Sequence, residues 1–198
     1  MRGTRARRAA QKLVVALFFF LESECTLAQV PPAPDAWHVF ASYGQASAPR
    51  SQGFAEAATL SVARESPFGA GFTWGVEVTP LFVVNQTRVD LPGRPRETAL
   101  AVAALPLLIF HAFPRSSVGV RLEGGIGLFW GFSPVPAEGS RFNFFDLYGA
   151  QVRVRLSDRA ALSGGLRRTH VSNLGVVGPD NPGLSFYSGV IGLSWPAR

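Results

Sequence analysis

The sequence predicts an all-β protein, an eight-stranded antiparallel up-and-down transmembrane β-barrel that follows a cleaved signal peptide. Three observations predict it. Residues 1–28 pass from basic to apolar to small residues. The remainder shows no sustained helical period, while several segments alternate polar and apolar residues at period two. The connections between those segments alternate in length, short then long, as short periplasmic turns and longer outward loops do in a barrel of this kind.

The N-terminus carries Arg2, Arg5, Arg7, Arg8 and Lys12, then the apolar run Leu13 to Leu21, then a polar stretch that reaches Thr26-Leu27-Ala28. The run is too short to cross a bilayer as a helix, which takes about 20 apolar residues, and its flanks are those of a secretory signal peptide cut after Ala28. Removing residues 1–28 takes away the only Lys, the only Met and the only Cys. A secreted chain with no disulfide option fits a bacterial envelope protein better than a disulfide-stapled extracellular domain. Five of the 19 basic and two of the 13 acidic residues also lie there, so the mature excess is +3 rather than +6. No basic stripe is interleaved with aromatics, which argues against nucleic acid as a partner.

Residues 29–36, with Pro31, Pro32 and Pro34, read as an extended periplasmic leader, and 37–198 as the barrel. Strands are expected near 37–44, 56–65, 71–84, 97–113, 116–132, 142–156, 159–172 and 184–195. Ser66-Pro67-Phe68-Gly69, Pro114-Arg115-Ser116 and Ser157-Asp158-Arg159 are tight turns by composition. The other links, 45–55, 85–96, 133–141 and 173–183, are longer and rich in Pro, Gly and polar residues. The fourth strand is apolar on both faces, and its Pro106 removes a ladder donor, which predicts a bulge or local bend.

Side-chain parity divides each strand into two rows. In the fifth, Val118, Val120, Leu122, Ile126, Leu128 and Trp130 oppose Arg121 and Glu123; in the sixth, Tyr148, Ala150, Val152, Val154 and Leu156 oppose Gln151, Arg153 and Arg155. A soluble barrel turns the apolar row inward, and a membrane barrel turns it to lipid, so alternation alone leaves both open. The signal peptide, the loop asymmetry and Trp37, Trp130, Phe132 and Trp195 near strand ends favour the membrane version. Arg121, Glu123, Arg153, Arg155 and Glu77 then form an inward charge set. His38 and His111 have no partners at metal-ligand spacing and read as structural.

With the leader in the periplasm, the seventh strand carries Arg167-Arg168-Thr169-His170-Val171-Ser172-Asn173 to the outer surface. His170 and Ser172 are two apart, so they project from the same face, where an imidazole can serve a hydroxyl as its base. That face also holds Ala160, Leu162, Gly164, Leu166 and Arg168, and is the lipid-facing one. A lipid substrate reaches it directly.

Val120-Arg121-Leu122-Glu123-Gly124-Gly125-Ile126-Gly127, His170-Val171-Ser172-Asn173 and the loop Asn181-Pro182-Gly183 resemble the outer-membrane lipid A 3-O-deacylase (acyloxyacyl hydrolase-like) family. The resemblance covers most of the mature chain in architecture and is specific in its last thirty residues or so. It implies a hydrolase of the outer membrane that removes the ester-linked acyl chain at position 3 of lipid A, the glycolipid of lipopolysaccharide, without a cofactor. It further implies Ser172 as nucleophile, His170 as general base and Asn173 as a contributor to the oxyanion hole. The family's pattern has an acidic residue just after the Asn-Pro-Gly turn; here Leu184 and Ser185 follow. Asp180 and Asn181 are the loop residues placed to orient the imidazole instead, and Arg168 is placed to contact a lipid A phosphate. The alternative function is a non-catalytic outer-membrane barrel that binds lipid or structures the envelope.

Overall fold

Alternation at period two gives every strand one face for the interior and one for the exterior, and eight such strands close on themselves. In the computed structural model, which describes residues 35–47, 55–69, 71–86, 97–114, 116–137, 139–175 and 183–197, the strands are β1 (Ala36–Ser47), β2 (Glu56–Gly69), β3 (Phe72–Gln86), β4 (Glu97–Ala112), β5 (Val118–Gly131), β6 (Phe142–Ser157), β7 (Ala160–Ser172) and β8 (Leu184–Pro196). Each pairs antiparallel with its chain neighbours, and β1 pairs with β8 to complete a closed barrel. The expected signal peptide and most of the expected leader lie outside the described residues. Asp35 and Ala36 already belong to the barrel: Ala36 pairs with both Glu65 and Pro196, and the Asp35 carbonyl accepts the Ala197 N–H.

The parity ambiguity is resolved by which row faces in. Leu60, Leu100, Leu108, Leu122, Ile126, Leu128, Leu166 and Ile191 stand on the outer wall, while Glu65, Glu77, Arg121, Glu123, Gln151 and Arg167 are buried inside it. An apolar exterior around an ionic interior is the inverse of a soluble barrel and is stable only against lipid. Trp37 faces its neighbour Trp195 across β1 and β8 at one end, and Trp130 and Phe132 are exposed at the other, as interfacial girdles are.

The interior is filled rather than open, which is what an eight-stranded closure leaves room for. Towards the outer end it is apolar, with Leu81, Val83, Ala99, Ala101, Ala103, Phe129, Phe145 and Phe186, and Val135 of the β5–β6 loop is packed among them. In the middle Arg167 reaches Glu77 (Nη1 to Oε1, 2.9 Å) and Glu123 (Nε to Oε1, 2.6 Å). Further towards the periplasmic end Arg121 bridges Glu123 and Glu65, and His38 and His111 lie 3.2 and 3.5 Å from the Glu65 carboxylate.

The ionic set differs in membership from the expected one. Arg121, Glu123 and Glu77 are inside as predicted, joined by Glu65 and Arg167, but Arg153 is only half-buried and donates to the Pro114 carbonyl at 3.2 Å, and Arg155 is exposed. Both of these sit where β6 leaves the membrane, so their parity alone did not decide their depth. One turn and one strand irregularity also differ. Ser66 to Gly69 continue β2, with a register shift between Pro67 and Gly69, and the chain reverses at Gly71, whose φ of 77° suits glycine. Pro106 makes no bulge: Ala104 faces Leu128 and Leu107 faces Gly125, the same register on either side. Its ring points outward, where the missing N–H is a local gap in one ladder rather than a break.

Candidate functional site

The seventh strand delivers the predicted residues to the outer end of the barrel as its parity requires. Arg168, His170 and Ser172 share the exterior face, while Arg167, between barrel wall and core, and Val171 are buried on the other. The register then decides the neighbours of His170. Asp146 of β6 is its direct partner on one side and Ser185 of β8 on the other.

His170 Nδ1 lies 2.8 Å from Ser185 Oγ. That bond engages Nδ1, the Leu184 backbone also hydrogen-bonds the ring, and Nε2 is the nitrogen that Ser185 does not engage. Ser172, opposite Phe144 on β6, accepts the Leu174 N–H at 3.2 Å on its Oγ. No hydrogen bond joins Ser172 to His170 among the described residues. The two share a face, and in a substrate-free site such a bond commonly tightens only when substrate binds.

Gly183 holds the other side of the ring. Its φ is 70°, and a Cβ built on it would stand 2.8 Å from His170 Cε1 and 3.2 Å from Nε2. The backbone therefore reaches the imidazole only because there is no side chain there. Gly183→Ala is expected to push the ring off its position and to add about 1 kcal/mol of backbone strain, with any turnover that relies on the ring falling by roughly tenfold or more. Steady-state kinetics beside a thermal-unfolding measurement will separate the displaced ring from lost stability.

Asn173 turns inward and is fully buried; its Oδ1 accepts the Gly175 N–H at 2.9 Å, an Asx-type turn. Leu174 (φ 54°) and Gly175 (φ 69°) complete that reversal directly after the hydroxyl of Ser172. Asp180 and Asn181 lie outside the described residues. Arg168 directs Nη2 to Ser185 Oγ at 2.9 Å and Nη1 to Asp146 Oδ1 at 3.4 Å, and its guanidinium lies 5.2 Å from the Tyr148 ring centroid.

Two residues of this cluster were not singled out from sequence. Ser185 stands just beyond the Asn-Pro-Gly turn, where its being a hydroxyl rather than a carboxylate hid its role. Asp146 had a signal: it shares the exterior parity of Tyr148, Ala150 and Val152, and a carboxylate in an otherwise apolar lipid-facing row calls for a partner.

Comparison with known proteins bears on the family and the fold. A family model described as "Lipid A 3-O-deacylase (PagL)" matches residues 52–194. Among solved structures, the outer membrane enzyme PagL aligns with a TM-score of 0.57 at 21% identity, over 81% of this chain and 99% of that one. Neisserial surface protein A aligns with a TM-score of 0.61 at 12% identity, over 85% of this chain and 100% of the other. No curated protein matches the chain.

Proposed function

The chain belongs to the lipid A 3-O-deacylase family, and from that premise we propose that it is an esterase removing the acyl chain at the 3-position of lipid A, with Ser172 as nucleophile and His170 as general base. It is an outer-membrane β-barrel, which residues 1–28 would direct to the envelope before their removal. The observation that carries the reading is the bond from His170 Nδ1 to Ser185, on the lipid-facing wall, two residues from a serine on the same face.

The chemistry follows from that placement. Ser172 Oγ attacks the ester carbonyl carbon as its proton passes to His170 Nε2. The tetrahedral intermediate collapses, the C–O bond to the sugar breaks, and the sugar oxygen leaves with the proton from Nε2. Water then attacks the acyl-Ser172 by the same route and releases the fatty acid. The Asn173 side chain turns inward, away from Ser172, so its part in an oxyanion hole is to hold the turn that directly follows the nucleophile. Exposed Tyr148, Leu166 and Tyr187 lie membrane-ward of the site and offer an apolar wall for the acyl chain. Arg168 is the side chain we assign to a lipid A phosphate, which would draw on guanidinium N–H groups beyond those that reach Ser185 and Asp146. No step calls for a metal or organic cofactor.

Mass spectrometry of lipid A from cells expressing the protein will test this. Wild type is expected to produce a species lighter by one acyl chain, and Ser172→Ala to leave lipid A intact. The same lighter species with Ser172→Ala would overturn the assignment of the nucleophile.

A further inference from the structure

Resting on the Ser172/His170 reading, we infer that Ser185 is the residue that orients His170, and that Asp146, acting through Arg168, supplies the negative charge that a carboxylate directly on the imidazole would otherwise supply. The third member of the usual serine–histidine arrangement is thus divided between two strands, a neutral hydroxyl on β8 and a carboxylate on β6.

The geometry of the four side chains carries this. His170 is flanked in register by Ser185 and Asp146, one on each neighbouring strand. Arg168, two residues earlier on the same face, touches both of them, Nη2 to Ser185 Oγ at 2.9 Å and Nη1 to Asp146 Oδ1 at 3.4 Å. A guanidinium can only donate, so Ser185 Oγ must accept from Arg168 with one lone pair. Its second lone pair is then free to accept the Nδ1–H of His170, which is the tautomer that leaves Nε2 able to take the Ser172 proton. Arg168 therefore fixes Ser185 from behind, as a second ligand fixes the partner of a catalytic histidine.

Charge explains why Asp146 is needed as well. When Nε2 takes the proton, an imidazolium forms beside the Arg168 cation, and Ser185 has no charge to offset it. Asp146, paired with Arg168 and opposite His170, balances the cluster at the edge of a low-dielectric membrane, where two unscreened cations would be costly. Ser185 and Asp146 are positioning residues, since neither touches the acyl ester.

Kinetics on lipid A micelles with the full barrel will test the inference. Ser185→Ala is expected to lower kcat by about tenfold or more with KM little changed, and Ser185→Thr, which keeps the hydroxyl, to restore most of it. Ser185→Glu is expected to raise kcat above wild type, because it returns a carboxylate to Nδ1 without removing the Arg168 contact. Asp146→Asn is expected to lower kcat in the wild-type background and to matter less beside Ser185→Glu. Wild-type kcat in Ser185→Ala would overturn the inference. An imidazole nitrogen NMR spectrum, with His170 assigned by its replacement, gives a readout independent of substrate. The His170 Nδ1 shift should move in Ser185→Ala and hold in Ser185→Thr, and an unmoved shift in Ser185→Ala overturns the inference even if lipid A is not the substrate. Conversely, that shift pattern together with no acyl release by wild type would leave the orientation standing and reject the deacylase reading.

Discussion

His170→Ala and Ser172→Ala are each expected to reduce acyl release from lipid A by roughly a thousandfold or more, with the barrel still folded. Both side chains are only partly covered on the lipid-facing wall, and neither belongs to the interior clusters that hold the barrel closed. Their loss should therefore leave the heat-modifiable gel mobility of the folded barrel unchanged. The double variant is the stronger test. If the imidazole acts only by taking the Ser172 proton, removing it after the hydroxyl has gone costs nothing further, and the double variant should be no slower than the worse single one. Rates from initial release of fatty acid will decide this. Multiplicative losses would mean that the two residues work separately, and that the shared face of β7 brings together neighbours rather than a nucleophile and its base.

The legible part of this protein was its periodicity. A residue's parity in a strand decides the side of the wall it stands on, so the eight strands, the inward Arg121, Glu123 and Glu77, and the outward His170 and Ser172 could all be placed from sequence. Partners across strands could not, because they depend on register, and a slip by a single residue exchanges every neighbour. Ser185 and Asp146 became the flanks of His170 only once β6, β7 and β8 were aligned. Arg167 shows the same limit from the inside. Parity put it on the inner face, but its four bonds to Glu77 and Glu123 come from strands β3 and β5, which are not its neighbours in the sheet. The exact ends of strands were legible least: Pro67 and Phe68 have turn composition and yet remain in β2, because pairing of Pro67 with Thr73 outweighs local preference.

Arg167→Met is expected to destabilise the folded barrel by about 3–5 kcal/mol, the usual cost of breaking a buried ion pair by removing one partner. Arg167 is 4% exposed; its guanidinium donates to both oxygens of Glu77 at 2.9 and 3.0 Å and to both of Glu123 at 2.6 and 3.0 Å, and lies 4.3 Å from the centroid of the Phe40 ring. Removing it leaves Glu77 with the Thr79 hydroxyl at 2.8 Å and Glu123 with Arg121 and Gln151. Three buried carboxylates, Glu65, Glu77 and Glu123, then share the interior with the Arg121 guanidinium. The loss arises from the stranded carboxylates rather than from the missing cation, and a second substitution separates the two. Adding Glu77→Gln to Arg167→Met removes one buried charge at nearly constant volume and should recover roughly 1–2 kcal/mol. Urea unfolding in detergent, followed by tryptophan fluorescence, will measure both variants. A single variant as stable as wild type would show that the interior tolerates the bare carboxylates. A double variant weaker than the single would show that the guanidinium's packing on Phe40, rather than its charge, was what held β7 against the core.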